Sequence, residues 1–158
     1  MRYAALLEND YINGEGVCIS YWSQGCPHRC PGCHNPETWD FNGGTEIDEG
    51  ELTSKILQAI NKNNIQRNLS ILGGEPLCSH NIPYVIDLVN IVRTLYPNIK
   101  IFIWTGYRLE DIKEKYQKSL LDKIDVLIDG PFILEERDIA LKLRGSKNQR
   151  VLYKGIDF

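Results

Sequence analysis

Cys26-Pro27-His28-Arg29-Cys30-Pro31-Gly32-Cys33-His34-Asn35 places three of the chain's five cysteines in one C-x3-C-x2-C run. Pro27 and Pro31, with Gly25 and Gly32, keep this backbone out of helix and strand. The three thiols therefore sit on a loop and are free to converge on a bound metal centre. The segment before the loop reads as a strand. Val17, Ile19 and Tyr21 alternate with Cys18, Ser20 and Trp22, a period of two rich in β-branched and aromatic residues over Val17 to Ser23. The loop leaves the C-terminal end of that strand, and this relation decides how the rest of the chain is read.

Four readings of the thiols compete. Structural zinc wants four closed ligands, and only Cys30 and Cys33 have the C-x2-C pairing, with Cys18, Cys78, His28 or His34 available to complete it. An electron-transfer cluster ligated by four cysteines needs spacings this run does not have. A cluster held by three cysteines leaves one iron open to a substrate, as an open zinc position does. Inert thiols fit least, because prolines and glycines interleave the run instead of core residues. Cys18 lies within the strand alternation and reads as a packed thiol.

Composition bounds the wider answer. A chain of 158 residues, 42% hydrophobic and 25% charged, fits one ordinary globular domain over residues 1–158. The apolar start soon meets Glu8, Asn9 and Asp10, and no later apolar run has the length of a membrane span, so no membrane and a cytoplasmic location are expected. An odd number of cysteines argues for reduced thiols or metal ligands over a disulfide framework. The net charge of −3, without a Lys/Arg-rich run, gives a phosphate backbone little to bind, so nucleic acid is not an expected partner.

Outward from the loop, Asn13-Gly14-Glu15-Gly16 reads as a turn. Asp48 with Glu51 reads as a helix cap, and Leu52, Ile56 and Ile60 form the apolar face of a helix reaching about Asn61. Asn68 to Leu72 reads as a strand stopped by Gly73-Gly74-Glu75-Pro76. Tandem glycines there allow close backbone approach to a ligand, and the Glu75 carboxylate can accept from an ammonium. They lack the Gly-Lys-Ser/Thr ending of a phosphate loop. Pro83 opens a second amphipathic helix that Pro97 stops. Ile99 to Trp104 is a third strand ended by Thr105-Gly106-Tyr107, Glu110 to Tyr116 a short outer helix, Val126 to Ile128 a strand ended by Asp129-Gly130-Pro131, and Val151 to Tyr153 a final strand.

Strands separated by helix-length segments make a parallel sheet with right-handed crossovers. The cysteine loop, Gly73 to Pro76, Thr105 to Tyr107 and Asp129 to Pro131 then all follow strand C-termini, the edge where α/β folds place their sites. About five to six mainly parallel strands cannot close an eight-stranded barrel. The expected α/β fold is an incomplete, laterally open (β/α) partial TIM-like barrel. Asp129, at the mouth of the sheet, is a candidate for binding a cation or an incoming loop, beside the plain alternative of an Asp capping a Pro turn.

The C-x3-C-x2-C run with Gly73-Gly74-Glu75-Pro76 resembles the radical S-adenosylmethionine enzymes. That resemblance implies a 4Fe-4S cluster on Cys26, Cys30 and Cys33, with S-adenosylmethionine on the open fourth iron. It places Gly73, Gly74 and Glu75 at the methionine amino group, and Gly32, Cys33, His34 and Thr105 in the same cofactor site, and leaves Cys78 structural. Many relatives carry an aromatic at the position of Gly32, and many activating members carry tyrosine where this chain has His34.

Further motifs narrow the likeness to the glycyl-radical-activating branch. They are Asn13-Gly14-x-Gly16, Gly25-Cys26-x-His28-x-Cys30-x-Gly32-Cys33-x-Asn35, Thr38-Trp39, Trp104-Thr105-Gly106-Tyr107, Asp129-Gly130 and Arg144-Gly145-Ser146-x-Asn148-Gln149-Arg150. This similarity implies an oxidoreductase whose partner is an anaerobic ribonucleoside-triphosphate reductase, the glycyl-radical catalytic subunit, with a reduced flavodoxin or ferredoxin-type protein as electron donor. Two alternatives stand beside it: a small-molecule radical enzyme of the 7-carboxy-7-deazaguanine synthase type, and a non-catalytic zinc-binding module. The short chain is expected to leave one side of its sheet uncovered, with Arg144 to Arg150 offering donors to a partner's backbone, beside the plain alternative of a solvated loop.

Overall fold

The computed structural model describes all residues, 1–158. Strand β1, Arg2–Asp10, turns back at Asn13 to Gly16 and pairs antiparallel with β2, Cys18–Ser23. The short β3, Thr45–Glu46, adds antiparallel to β1. Helix α1, Glu49–Ile60, leads to β4, Asn68–Gly73, and α2, Ile82–Leu95, leads to β5, Ile101–Trp104. Helix α3, Lys115–Leu121, precedes β6, Val126–Asp129, and β7, Arg150–Tyr153, closes the chain. The strand order in one open sheet is β3-β1-β2-β4-β5-β6-β7.

The middle of the sheet, β2 to β6, is parallel as expected, in the register Cys18 to Asn68, Leu69 to Ile101 and Phe102 to Val126. Its margins differ from the expectation. The sheet has seven strands, and β1, β3 and β7 are antiparallel. Strand β1 escapes a reading by pattern because it ends in Glu8-Asn9-Asp10, whose polarity is accommodated at the sheet margin. Strand β7 returns antiparallel because no α-helix fills Gly130 to Gln149, and a parallel neighbour needs such a crossover. The outer helix also moves: Leu109–Asp111 is a single 3-10 turn and α3 begins at Lys115. Within 110–116 only Ile112 is buried, too little for a helical face, whereas α3 buries Gln117, Leu120 and Leu121.

Right-handed crossovers advancing in one direction put every helix on one face. There Leu52 and Ile56 of α1, Leu88 and Val92 of α2 and Leu120 of α3 join Ile19, Ile71, Ile103 and Leu127 of the strands in one core of 25 buried residues. Each fully buried aliphatic contributes about 1.5–3 kcal/mol. The Asp48 side chain accepts from the Glu51 N–H at 3.1 Å and fixes the start of α1. Buried Arg67 holds the other end, donating to the Ala59, Lys62 and Ile65 carbonyls and to Asn9 Oδ1.

The opposite face carries Trp22, Leu72, Trp104 and a small cluster of Phe102, Val126 and Ile128. It is not left bare. Residues 131–149 cross it as a strap, with the Trp104 indole N–H donating to the Leu143 carbonyl at 2.6 Å. The Asp10 to Gly16 turn covers its other end, tied by Asp10 accepting from Ile12, Asn13 and Ser20.

Candidate metal and cofactor centre

The cysteine loop is closed at its base. The Gly25 N–H donates to the Thr38 carbonyl at 2.7 Å and the Cys26 N–H to the Trp39 carbonyl at 3.1 Å. Within it, Cys30-Pro31-Gly32-Cys33 forms a turn with the Cys33 N–H on the Cys30 carbonyl at 3.0 Å. Proline second and glycine third, at φ 78°, are what a type II turn requires. A β-carbon on Gly32 would also meet the Leu134 side chain at 2.8 Å. On the other side of Cys30, Arg29 takes a left-handed φ of 50°, and its guanidinium lies 6.0 Å from the Trp39 ring centroid.

All five cysteines are free thiols. Cys26 is buried, and desolvation pushes its thiol up to about 11 against the opposing pull of the His28 and Arg29 N–H groups. Cys30 and Cys33 are half-buried, and the Asn35 N–H points at Cys33 Sγ at 3.4 Å. No three His, Cys, Asp or Glu side chains converge as a single ion would need. A multi-iron cluster asks for less convergence, since each thiolate takes a different iron. Three loop thiols, one already carrying an N–H donor to its sulfur, fit such a group. Cys18 is buried at the far end of β2, its S–H on the Glu15 carbonyl at 3.4 Å, and Cys78 is buried where α2 begins. Desolvation raises both thiols.

At the end of β4 the tandem glycines serve the chain itself. A β-carbon on Gly73 would lie 2.3 Å from the Ser23 nitrogen, and one on Gly74 would lie 2.3 Å from the Gly25 oxygen. The Gly74 N–H donates to the Ser23 carbonyl and the Glu75 N–H to the Gly25 carbonyl, both at 2.9 Å. Buried Asn81 adds its amide to the Gly25 and Glu75 carbonyls.

Glu75 is fully buried. Its Oε1 accepts from the Leu77 N–H and the Thr105 hydroxyl, both at 2.8 Å, and its Oε2 from the Gly106 N–H at 2.7 Å, with His28 Nε2 also at 2.7 Å. A carboxylate offers about four acceptor positions, and all are used within the chain. In this structure the carboxylate has an internal role. Thr105 shares it: its hydroxyl is committed to Glu75 and the Tyr107 N–H, and it does not line the cleft described next.

A cleft of about 450 Å³ opens between the loop, the strand ends and the strap, within the range of small-molecule sites. It brings together Cys33, His34 and Gly73 with Trp22 and Trp104, and Phe132 and Arg144 face them from the strap. The His34 ring packs on Phe132 with centroids 5.3 Å apart. Cys26, Cys30, Gly32, Gly74, Glu75 and Asp129 lie outside this lining. The two tryptophans were legible only as strand residues, although the period-two alternation already put Trp22 on the face of Cys18 and Ser20.

At the sheet mouth, two of the expected binding groups are engaged within the chain. Asp129 is buried and committed: Arg150 donates to both its oxygens and the Leu109 N–H adds a third donor at 2.8 Å. Arg144 and its neighbours turn several of their donors inward. The Arg144 guanidinium bonds the Lys147 and Gln149 carbonyls, Asn148 bonds the Pro131 carbonyl, and Gln149 takes the Gly145 and Ser146 N–H groups. The segment caps itself and pins the strap.

Residues 12–152 match the family described as a 4Fe-4S single cluster domain. The chain is 38% identical over 152 residues to the anaerobic ribonucleoside-triphosphate reductase-activating protein of Salmonella typhimurium, covering 96% of this chain and 97% of that one. It is 36% identical to the protein of that description from Escherichia coli strain K12, with the same coverage. The counterpart from Enterobacteria phage T4 is 35% identical over 96% of this chain and 93% of its own.

Proposed function

This chain belongs to the family of anaerobic ribonucleoside-triphosphate reductase-activating proteins, with a 4Fe-4S cluster domain, and from that premise we propose that it generates the glycyl radical of such a reductase. Cys26, Cys30 and Cys33 would hold the cluster and leave one iron open. S-adenosylmethionine would lie in the cleft beside Gly73 and His34. When bound and given one electron, the two together would part S-adenosylmethionine at its sulfur–C5′ bond into methionine and a 5′-deoxyadenosyl radical able to take a hydrogen atom from a glycine Cα of the reductase.

The chain's own groups orient and shield that chemistry. The observation that carries the reading is that Cys33, His34 and Gly73 line one cleft at the C-terminal edge of the parallel strands. Trp22, Trp104 and Phe132 give the cleft apolar walls, which exclude water from a reactive centre. Asn35 donates to the Cys33 sulfur, an interaction that orients a thiolate ligand and tunes its cluster. The strap covers part of the inner face, so a partner has only the remaining mouth to close.

The same proposal takes residues 1–158 as one domain and the open sheet as a laterally open part of a (β/α) barrel; the helices on a single face support it. A reduced flavodoxin or ferredoxin-type donor would supply the electron. The cytoplasm, where thiols stay reduced, is the setting that suits five free cysteines. No helix is long and apolar enough to cross a membrane.

Anaerobic mixing of the reduced, iron-loaded protein with S-adenosylmethionine and the reductase should give a glycyl doublet on the reductase by electron paramagnetic resonance. Absence of the doublet together with steady turnover of a pterin would reassign the protein to small-molecule chemistry.

A further inference from the structure

Three of the four donors on Glu75 are fixed scaffold: the Leu77 N–H from its own turn, and the Thr105 hydroxyl and Gly106 N–H from the end of β5. Only the fourth, His28, comes from the cysteine loop. The carboxylate accepts donors at every other position, so the His28 Nε2 carries the proton of that bond. A buried carboxylate held by three rigid donors has little freedom, and what it fixes is the imidazole.

The imidazole has a built seat. Its ring meets Tyr107 edge to face with centroids 4.6 Å apart, and a β-carbon on Gly106 would lie 2.5 Å from it. His28 is also the middle residue of the bridge between Cys26 and Cys30. The next residue, Arg29, holds a left-handed φ that a non-glycine residue adopts only when its surroundings impose it. Anchoring His28 on one side and laying Arg29 over Trp39 on the other imposes it here.

We propose that His28 and Glu75 are a positioning pair that sets Cys26 and Cys30 relative to the strand edge, and so governs how a cluster on the loop responds to its ligand. The proposal rests on the function inferred above. It differs from simple support of the fold, because His28 contributes one bond to a carboxylate that the scaffold already holds three times.

The test compares His28→Ala with His28→Gln, which keeps a side-chain N–H donor. Each protein is reconstituted anaerobically with iron and sulfide, reduced, and titrated with S-adenosylmethionine while the cluster's electron paramagnetic resonance spectrum is followed. Outer contacts of this kind typically change affinity about 10–100-fold. The expected result is a loss of that order in the S-adenosylmethionine concentration dependence for His28→Ala, with most of it recovered in His28→Gln. Hydrogen exchange of residues 26–30 in the metal-free proteins should show the same order, faster in His28→Ala than in His28→Gln.

A titration and exchange pattern in His28→Ala equal to the parent's would overturn the proposal. Equal losses in both variants would do the same, since the retained donor would then count for nothing. If His28→Ala holds no iron, the outcome rests on His28→Gln: a parental spectrum supports the pair, and loss of iron there too removes it. A parent protein whose cluster ignores S-adenosylmethionine would instead defeat the functional reading, which keeps the two failures apart.

Discussion

Gly74 sits so close to Gly25 that a β-carbon on it would lie 2.3 Å from the Gly25 carbonyl oxygen and 2.7 Å from its carbon. The contact joins the end of β4 to the first residue of the cysteine loop, backbone against backbone. Gly74→Val should therefore displace the loop as well as any ligand, with an overpacking cost of about 1–3 kcal/mol. Iron content after reconstitution and the thermal midpoint should both fall. A full cluster with weakened S-adenosylmethionine binding alone would mean that the glycine serves only the ligand.

Glu75→Gln is expected to be far from conservative. Each carboxylate oxygen accepts one backbone N–H, Leu77 on one and Gly106 on the other, so an amide NH2 in either orientation faces a donor. Leaving a buried donor unpaired costs about 1–3 kcal/mol. Urea denaturation of the metal-free protein should show the loss, and an unchanged midpoint would contradict the fourfold acceptance.

Among the cysteines, Cys26→Ala, Cys30→Ala and Cys33→Ala should each abolish an S-adenosylmethionine-responsive cluster, whereas Cys18→Ala and Cys78→Ala should keep it. After removal of iron, iodoacetamide at pH 8 should label Cys30 and Cys33 before Cys26. Only the thiolate reacts, and burial has moved the Cys26 thiol up to about 11. Early labelling of Cys26 would show that the loop opens without its metal.

The Asp129, Arg150 and Glu110 group makes a prediction about acid. A hydrogen bond from Arg150 lowers Glu110 to about 2 from 4.5, with both carboxylate oxygens engaged at 2.8 and 2.9 Å. A folded-state value below the unfolded one stabilises the fold above the unfolded value, and this is lost as pH falls through the folded value. Stability should thus decline between pH 4.5 and about 2, and less steeply in Glu110→Gln. Arg150→Met should cost about 1–3 kcal/mol at neutral pH by stranding the buried Asp129, while leaving iron content unchanged. Parallel acid profiles for the parent and Glu110→Gln would discount the pair.

Trp104→Phe removes the indole donor to the Leu143 carbonyl, a loss of about 1 kcal/mol. Its effect should be local. Hydrogen exchange should quicken across residues 131–149 while α1 and α2 keep their protection, and uniform change would show that the strap is not held there.

The sequence made legible those features whose causes are local. The alternation in Val17 to Ser23, the Asp48 cap and the glycines after β4 each settle a structure within a few residues, and the parallel register then gathers the loops at one edge. What stayed hidden depends on partners far along the chain. Asp129 looks free until Arg150 returns beside it on β7, and Glu75 looks open until Thr105, Gly106 and His28 arrive from two other loops. Arg144 looks available until its own turn folds back on it. A charged residue in a sequence advertises what it can bind and is silent on whether that capacity is already used.

The clamp on Glu75 also sets an order of events for the newly made chain. Its parts come from the cysteine loop, the turn after β4 and the end of β5, so the imidazole at position 28 has no seat until Gly106 and Tyr107 have emerged and β5 has docked on β4. The three thiols are synthesised early, whereas the pair proposed to set them is complete only once the end of β5 is in place. Iron delivered during translation would meet an unformed site, and maturation should follow completion of the parallel sheet, with metal uptake reporting that the fold is in place.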